Sequence, residues 1–176
     1  MAYHSLWMAE PRDLGQLRDI AAEAVGEPGR RRFRLTALGE TGEFALMWLE
    51  KEQLAGLGEA IGTVLAGEGY RHAPVPLDDT RPRAEYPVTP DHEFQIAQLS
   101  MGVDPRRGRM VITAAGPEDA GGPSVSMTID FHRSHELREQ ISAVVAAGRP
   151  PCPLCGGPID PGGHVCPRSN GHHEPA

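Results

Sequence analysis

Apolar and polar positions along this chain recur with periods that lay out most of its elements. Phe33, Leu35 and Ala37 alternate with Arg32, Arg34 and Thr36, the period of a half-buried strand. Ahead of it, Gly26-Glu27-Pro28-Gly29 is turn chemistry: proline presets φ, and glycine is free to take a left-handed position. A second turn at Gly39–Gly42 leads into Phe44–Leu49 and predicts a hairpin. Residues 1–25 read two ways. The alanine-rich Asp19–Val25 has helical propensity, yet Ile20, Ala22 and Ala24 alternate as a strand would.

A helix follows. Leu54, Leu57, Ile61, Val64 and Leu65 keep 3.6-residue spacing, and Glu50 and Glu52 stand at the N-terminal end, where the helix dipole favours acids. Gly56, Gly58 and Gly62 each weaken such a helix by about 0.5–1 kcal/mol relative to alanine. The helix must therefore be held by packing on a sheet, or be closely approached by another backbone. Residues 67–90 are Pro-rich and charged, too long for a simple turn, and predict a surface loop.

The second half repeats the plan. Phe94–Val103 and Arg109–Ala115 read as strands paired across the Asp104–Gly108 turn, and Val125–Phe131 as a third. A helix from Ser134 to Ala147 carries Leu137, Ile141, Val144 and Val145 as its apolar stripe. A shift of 80 residues lays Leu57, Ile61, Val64 and Leu65 on these four, and Met47 and Leu49 on Met127 and Ile129. The expected body is α+β: an antiparallel sheet with two helices on one face, in a pattern that admits a β-β-α pseudo-repeat.

Composition narrows the functional classes. The 176 residues carry a net charge of −7, so there is no global basic field to hold a nucleic acid. No run of eighteen apolar residues is present, which predicts no transmembrane helix. The first residues lack a basic stretch and a sustained apolar core, which predicts no secretory signal and a cytoplasmic protein. The three cysteines cannot all close into disulfides with one another, and a reducing compartment suits them.

All three cysteines lie between Cys152 and Cys166, in a stretch rich in Pro and Gly. Cys152-x-x-Cys155-Gly156 has the form of a zinc knuckle, whose tight turn lets two thiolates converge on one ion. Eight residues past Gly156, His164-Val165-Cys166 supplies a second pair, giving a Cys3His tetrahedron from Cys152, Cys155, His164 and Cys166. His172 and His173 are alternatives for the fourth ligand, reachable if the chain turns at Asn170-Gly171. A full shell of protein ligands reads as structural zinc, a staple for a zinc-ribbon-like tail too small to fold alone. The chain thus divides into a body, residues 1–148, and a tail, residues 149–176. Redox work by Cys152 and Cys155 is the competing reading, but such a motif opens a helix after a strand, and prolines surround this one.

Other candidates are more diffuse. Arg30, Arg31, Arg32 and Arg34 offer a phosphate-binding strand or simply a solvated face. Asp130, His132 and His135 offer acid–base groups or the polar start of a helix. Trp7 and Trp48 read as packing residues. No P-loop, Rossmann glycine pattern, GxSxG or HExxH motif is present.

Three stretches together resemble a bacterial family known as domain of unknown function 3090. They are Val25-Gly26-Glu27-Pro28-Gly29-Arg30-Arg31-Arg32-Phe33-Arg34-Leu35, Leu49-Glu50-Lys51-Glu52-Gln53-Leu54 and Ala146-Ala147-Gly148-Arg149-Pro150-Pro151-Cys152-Pro153-Leu154-Cys155. The tail continues with Asp160-Pro161-Gly162-Gly163-His164-Val165-Cys166, and the match runs from about residue 18. The resemblance implies that residues 19–25 are a strand and that His164 is favoured over the terminal pair. It implies no activity. It does imply protein partners of a kinase-like or phosphatase-like kind. The first fifteen residues, the loop 67–90 and His172 depart from the family pattern. Two functions stand against each other: a non-enzymatic adaptor, and a hydrolase or phosphoryl-transfer accessory with a site between the halves near Arg30–Arg34 and Asp130/His132.

Overall fold

The computed structural model describes residues 10–27, 29–71, 84–148, 152–157, 159 and 163–168. Among the described residues there are seven strands and two helices: β1 (Arg12–Val25), β2 (Arg32–Gly39), β3 (Phe44–Leu49), α1 (Lys51–Gly67), β4 (His92–Gln95), β5 (Gln98–Asp104), β6 (Arg109–Ala115), β7 (Ser124–Asp130) and α2 (Phe131–Ala146). A single 3-10 turn, Glu118–Ala120, separates β6 from β7. The fold is α+β, as the periodicities predict.

The sheet order is β4-β3-β2-β1-β7-β6-β5. Most neighbours are antiparallel, but two pairs run parallel, β1 with β7 and β3 with β4, so the sheet is mixed. The long β1 joins the two halves. Its start lies beside β7, with Gln16 opposite Thr128, and its remainder pairs with β2 from Leu17 opposite Gly39 to Val25 opposite Arg32. Residues 19–25 are therefore strand, and the strand begins earlier, at Arg12.

Phe94–Val103 is not a single strand paired with β6. The Ile96 N–H donates to Trp48 O in β3 at 2.7 Å, while the next N–H, of Ala97, donates to Ala115 O in β6 at 2.8 Å. The segment thus leaves β3 and joins β6 within two residues. Because β4 and β5 are the two edges of the sheet, this junction brings those edges together and curls the sheet on itself, as in barrels closed by bent strands.

The concave face is apolar. Across β1, β2, β3 and β4 one row reads Ala22, Leu35, Met47 and Phe94; across β5, β6 and β7 another reads Met101, Ile112 and Met127. Leu54, Leu57, Ile61 and Leu65 of α1 and Leu137 and Ile141 of α2 join these rows in one cluster. The 80-residue shift also lays Glu50, the N-cap of α1, on Asp130, the N-cap of α2. The second helix starts at Phe131, three residues before the expected Ser134, because the Asp130 carboxylate accepts the Arg133 N–H at 2.7 Å. The first half reads three strands and a helix, and the second reads four strands, β4 to β7, and a helix.

The residues of 67–90 that are described do more than skirt the surface. Tyr86 lies on the outer face of the sheet, its ring 5.1 Å from Phe44, and its hydroxyl donates to Asp19 Oδ2 at 3.0 Å. Burial first, and Asp19 second, push its pKa well above the usual phenol value.

The glycines of α1 divide by what faces them. A methyl at Gly58 would sit 2.9 Å from Ile141 Cγ2, so α2 approaches α1 closely there. At the exposed Gly56 a methyl meets nothing within 4 Å. Gly56→Ala should therefore stabilise the protein by about 0.5–1 kcal/mol, the helix-propensity gain. Gly58→Ala should instead destabilise it, because overpacking against a stiff β-branched side chain costs about 1–3 kcal/mol and exceeds that gain. Urea melts of the two variants check the opposite signs.

Candidate metal centre

Just beyond α2 the chain folds around its cysteines. The Cys152 N–H donates to Gly157 O at 2.7 Å, and the Gly156 N–H donates back to Cys152 O at 2.8 Å. That double closure requires Gly156 at φ +71°, a left-handed conformation that L side chains resist. The Gly157 N–H then points at Cys155 Sγ, 3.4 Å away. The second arm, His164 to Cys166, comes back over this turn. Cys166 Sγ stands 3.7 Å from Cys152 Sγ, and His164 Nε2 stands 3.1 Å from Cys155 Sγ. Arg168 Nη1 donates to Leu154 O at 3.2 Å and ties the arms together.

One ligand atom from each of Cys152, Cys155, His164 and Cys166 lies within 4.8 Å of the other three. Among the described residues this is the one group of three or more His, Cys, Asp or Glu placed to hold a metal ion. Its electrostatics suit a cation. The backbone N–H groups of Cys155 and Leu154 pull the Cys152 thiol down to about 6. At Cys155 the Gly157 N–H also lowers the value, but burial and the neighbouring Cys166 and Cys152 outweigh it and move the thiol up. Crowded sulfurs that resist joint ionisation are what a divalent ion relieves. His172 and His173 lie outside the described residues, as does Trp7.

The other sequence candidates are dispersed among separate partners. Arg31 Nη1 donates to Ala147 O at 2.7 Å, at the C-terminal end of α2. The Arg32 guanidinium stacks 4.0 Å above the Trp48 ring, and Arg34 pairs with Glu23 at 2.8 Å. Trp48 in turn donates to Glu93 at 3.0 Å on the outer face. Arg30 is exposed. Asp130 caps α2, His132 pairs with Glu136 at 3.3 Å, and the buried His135 lies 4.0 Å from Glu139. Asp130 and His132 stand as polar groups at the start of α2, whereas His135, expected beside them, is buried at 4% exposure.

A cleft of about 430 Å³ went unforeseen in the sequence. Gln16, Leu17, Arg18, Glu40, Arg109, Asp130 and Arg133 line it. They come from β1, the β2–β3 turn, β6, β7 and α2, and only the parallel pairing of β1 with β7 brings them together. No local spacing could have signalled it.

The family model described as "Protein of unknown function (DUF3090)" matches residues 13–166, from the start of β1 to the last cysteine of the cluster. Among curated proteins nothing matches.

Proposed function

For a chain that belongs to the DUF3090 family of proteins of unknown function, we propose a non-enzymatic adaptor whose tail is stapled by one zinc ion. Cys152, Cys155, His164 and Cys166 are its ligands. The observation that carries the reading is the convergence of the four ligand atoms within 4.8 Å. With Zn–S bonds of about 2.3 Å, a tetrahedral site has S···S edges of about 3.8 Å. The Cys152–Cys166 separation of 3.7 Å matches that edge. The Cys155–His164 separation of 3.1 Å needs about half an ångström of opening to reach the corresponding S···N edge. Four protein ligands fill the shell, so the ion would serve structure rather than bind a reacting water. Zinc rather than a harder ion follows from three soft thiolates. Thiolates in that state belong in a reducing compartment, and we place the protein in the cytoplasm.

The adaptor reading rests on what the knuckle presents. Leu154 on one arm is 57% exposed and Val165 on the other is 95% exposed, two apolar side chains held beside the cluster. Arg32 and Arg34 already have aromatic and acidic partners, so the strand of the enzyme reading has spent most of its cations. The partner we infer is a protein, of the kinase-like or phosphatase-like kind that the family resemblance implies. Affinity purification of tagged protein from its host checks this. A partner recovered in about equimolar amount should be lost with Leu154→Ser/Val165→Ser, while that variant keeps its zinc. Retention of the partner by the double variant, or turnover by the purified chain alone, would contradict the reading.

A further inference from the structure

The cleft beside α2 has chemistry that neither the metal centre nor the adaptor surface uses. It opens where two parallel strands separate. β1 and β7 stay paired, across one register break, as far as Gln16 and Thr128, after which β1 swings away to pair with β2 from Leu17 onward. Crevices at the carboxyl ends of parallel strands, where the chain turns to opposite sides, are the usual ligand positions of such sheets. At about 430 Å³ this one falls in the size range of small-molecule sites.

Three guanidiniums and two carboxylates line it. Arg133 is structural: its Nη2 donates to Arg18 O at 2.7 Å, and its Nη1 lies 3.5 Å from Asp19 and 3.4 Å from Glu136. Asp130 already caps the first turn of α2, so the helix end itself is satisfied. Arg18 and Arg109 differ. Both are exposed, and among the described residues neither side chain has an ion pair or hydrogen bond. Two uncommitted guanidiniums at one concave surface suit a phosphate, which such forks bind bidentately.

Gln16 supplies a separate observation. Its Oε1 is shut off from solvent with no hydrogen-bond partner, the single such side-chain atom among the described residues. A buried acceptor left unpaired costs stability, and native chains keep few of them without a use. Together with the carboxylates of Glu40 and Asp130, it asks for a ligand that donates hydrogen bonds. We propose that the cleft between β1 and β7 binds a hydroxyl-bearing phosphate monoester, a sugar phosphate. Arg18 and Arg109 take the phosphate, Glu40 takes one hydroxyl, and Gln16 takes another once its side chain turns the closed-off Oε1 into the cleft. The chain's net charge of −7 does not forbid this, since charges beyond about 8 Å are largely screened at physiological salt.

Titration calorimetry on the full chain, with ribose 5-phosphate, inorganic phosphate and ribose as probes, tests it. Ribose 5-phosphate should bind saturably, more tightly than phosphate, with ribose alone silent. Arg18→Gln and Arg109→Gln should each weaken that binding by tenfold or more, with unchanged melting temperatures because both side chains are exposed and unpaired. Gln16→Leu should weaken ribose 5-phosphate but not phosphate, while its melting temperature holds or rises. No saturable binding of ribose 5-phosphate, or binding unchanged in both arginine variants, would overturn the site. Phosphate binding as tightly as the sugar phosphate, with Gln16→Leu without effect, would overturn the assignment to a sugar phosphate. The metal centre is untouched by all three substitutions, so these outcomes are independent of the adaptor reading.

Discussion

Replacing Cys152 with serine should strip the tail of its metal and disorder it while leaving the body folded. The expected effect is the largest of any single substitution in this chain, because structural zinc contributes about 10–16 kcal/mol of binding free energy in zinc-finger peptides. The confinement to the tail follows from packing. Cys152 is 6% exposed, yet it is not among the residues of the core cluster, which is built from the strands and both helices. Beyond α2, the described hydrogen bonds that shape the tail run within it: Cys152 with Gly156 and Gly157, and Arg168 with Leu154. Removal of one ligand therefore costs the turn its anchor without opening the sheet. Hydrogen exchange should show full protection loss over residues 152–157 and 163–168 and native protection in β2, β3, β6 and β7. Chelation of the wild-type chain should give the same map. Global loss of protection would mean that the tail is part of the main core.

Truncation of the helix–helix contact should produce the second large effect. Ile141 is 2% exposed and Leu57 is 5% exposed, both in the same cluster as Met47 and Met127. Ile141→Ala or Leu57→Ala should each cost about 2–5 kcal/mol, the range for deleting large core side chains. At roughly 2–4 °C per kcal/mol for a chain of this size, the melting temperature should fall by a clearly measurable amount. Both substitutions should lower one cooperative transition, since α1 and α2 pack on each other and on one curled sheet. Two transitions, each sensitive to only one substitution, would contradict a shared core.

Both helices were legible because their apolar stripes face a single curled sheet and so keep a clean 3.6 period. The first strand was not, and its geometry says why. Its buried residues begin Leu14, Leu17 and Ile20, three apart as on a helix, because register breaks between Asp13 and Gln16 and between Leu17 and Asp19 insert extra residues. Alternation is restored only at Ile20 and Ala22. The junction of β4 and β5 did leave a trace. Phe94 and Ile96 are buried, then Leu99 and Met101 face the core on the other phase, so the alternation slips by one residue at Ala97. The parallel pairings left none, since they join residues 47 positions apart between β3 and β4 and more than a hundred apart between β1 and β7. The cysteine cluster was legible for the opposite reason: its ligands lie within fifteen residues, and local turn chemistry alone brings them together.

Elemental analysis of the purified full chain tests whether Cys152, Cys155, His164 and Cys166 hold a zinc ion. The wild type should carry about one zinc per chain. His164→Ala should lose most of it, and the double variant His172→Ala/His173→Ala should keep it. A metal-free chain with a protected tail, or zinc lost from the double variant and retained by His164→Ala, would contradict the assignment.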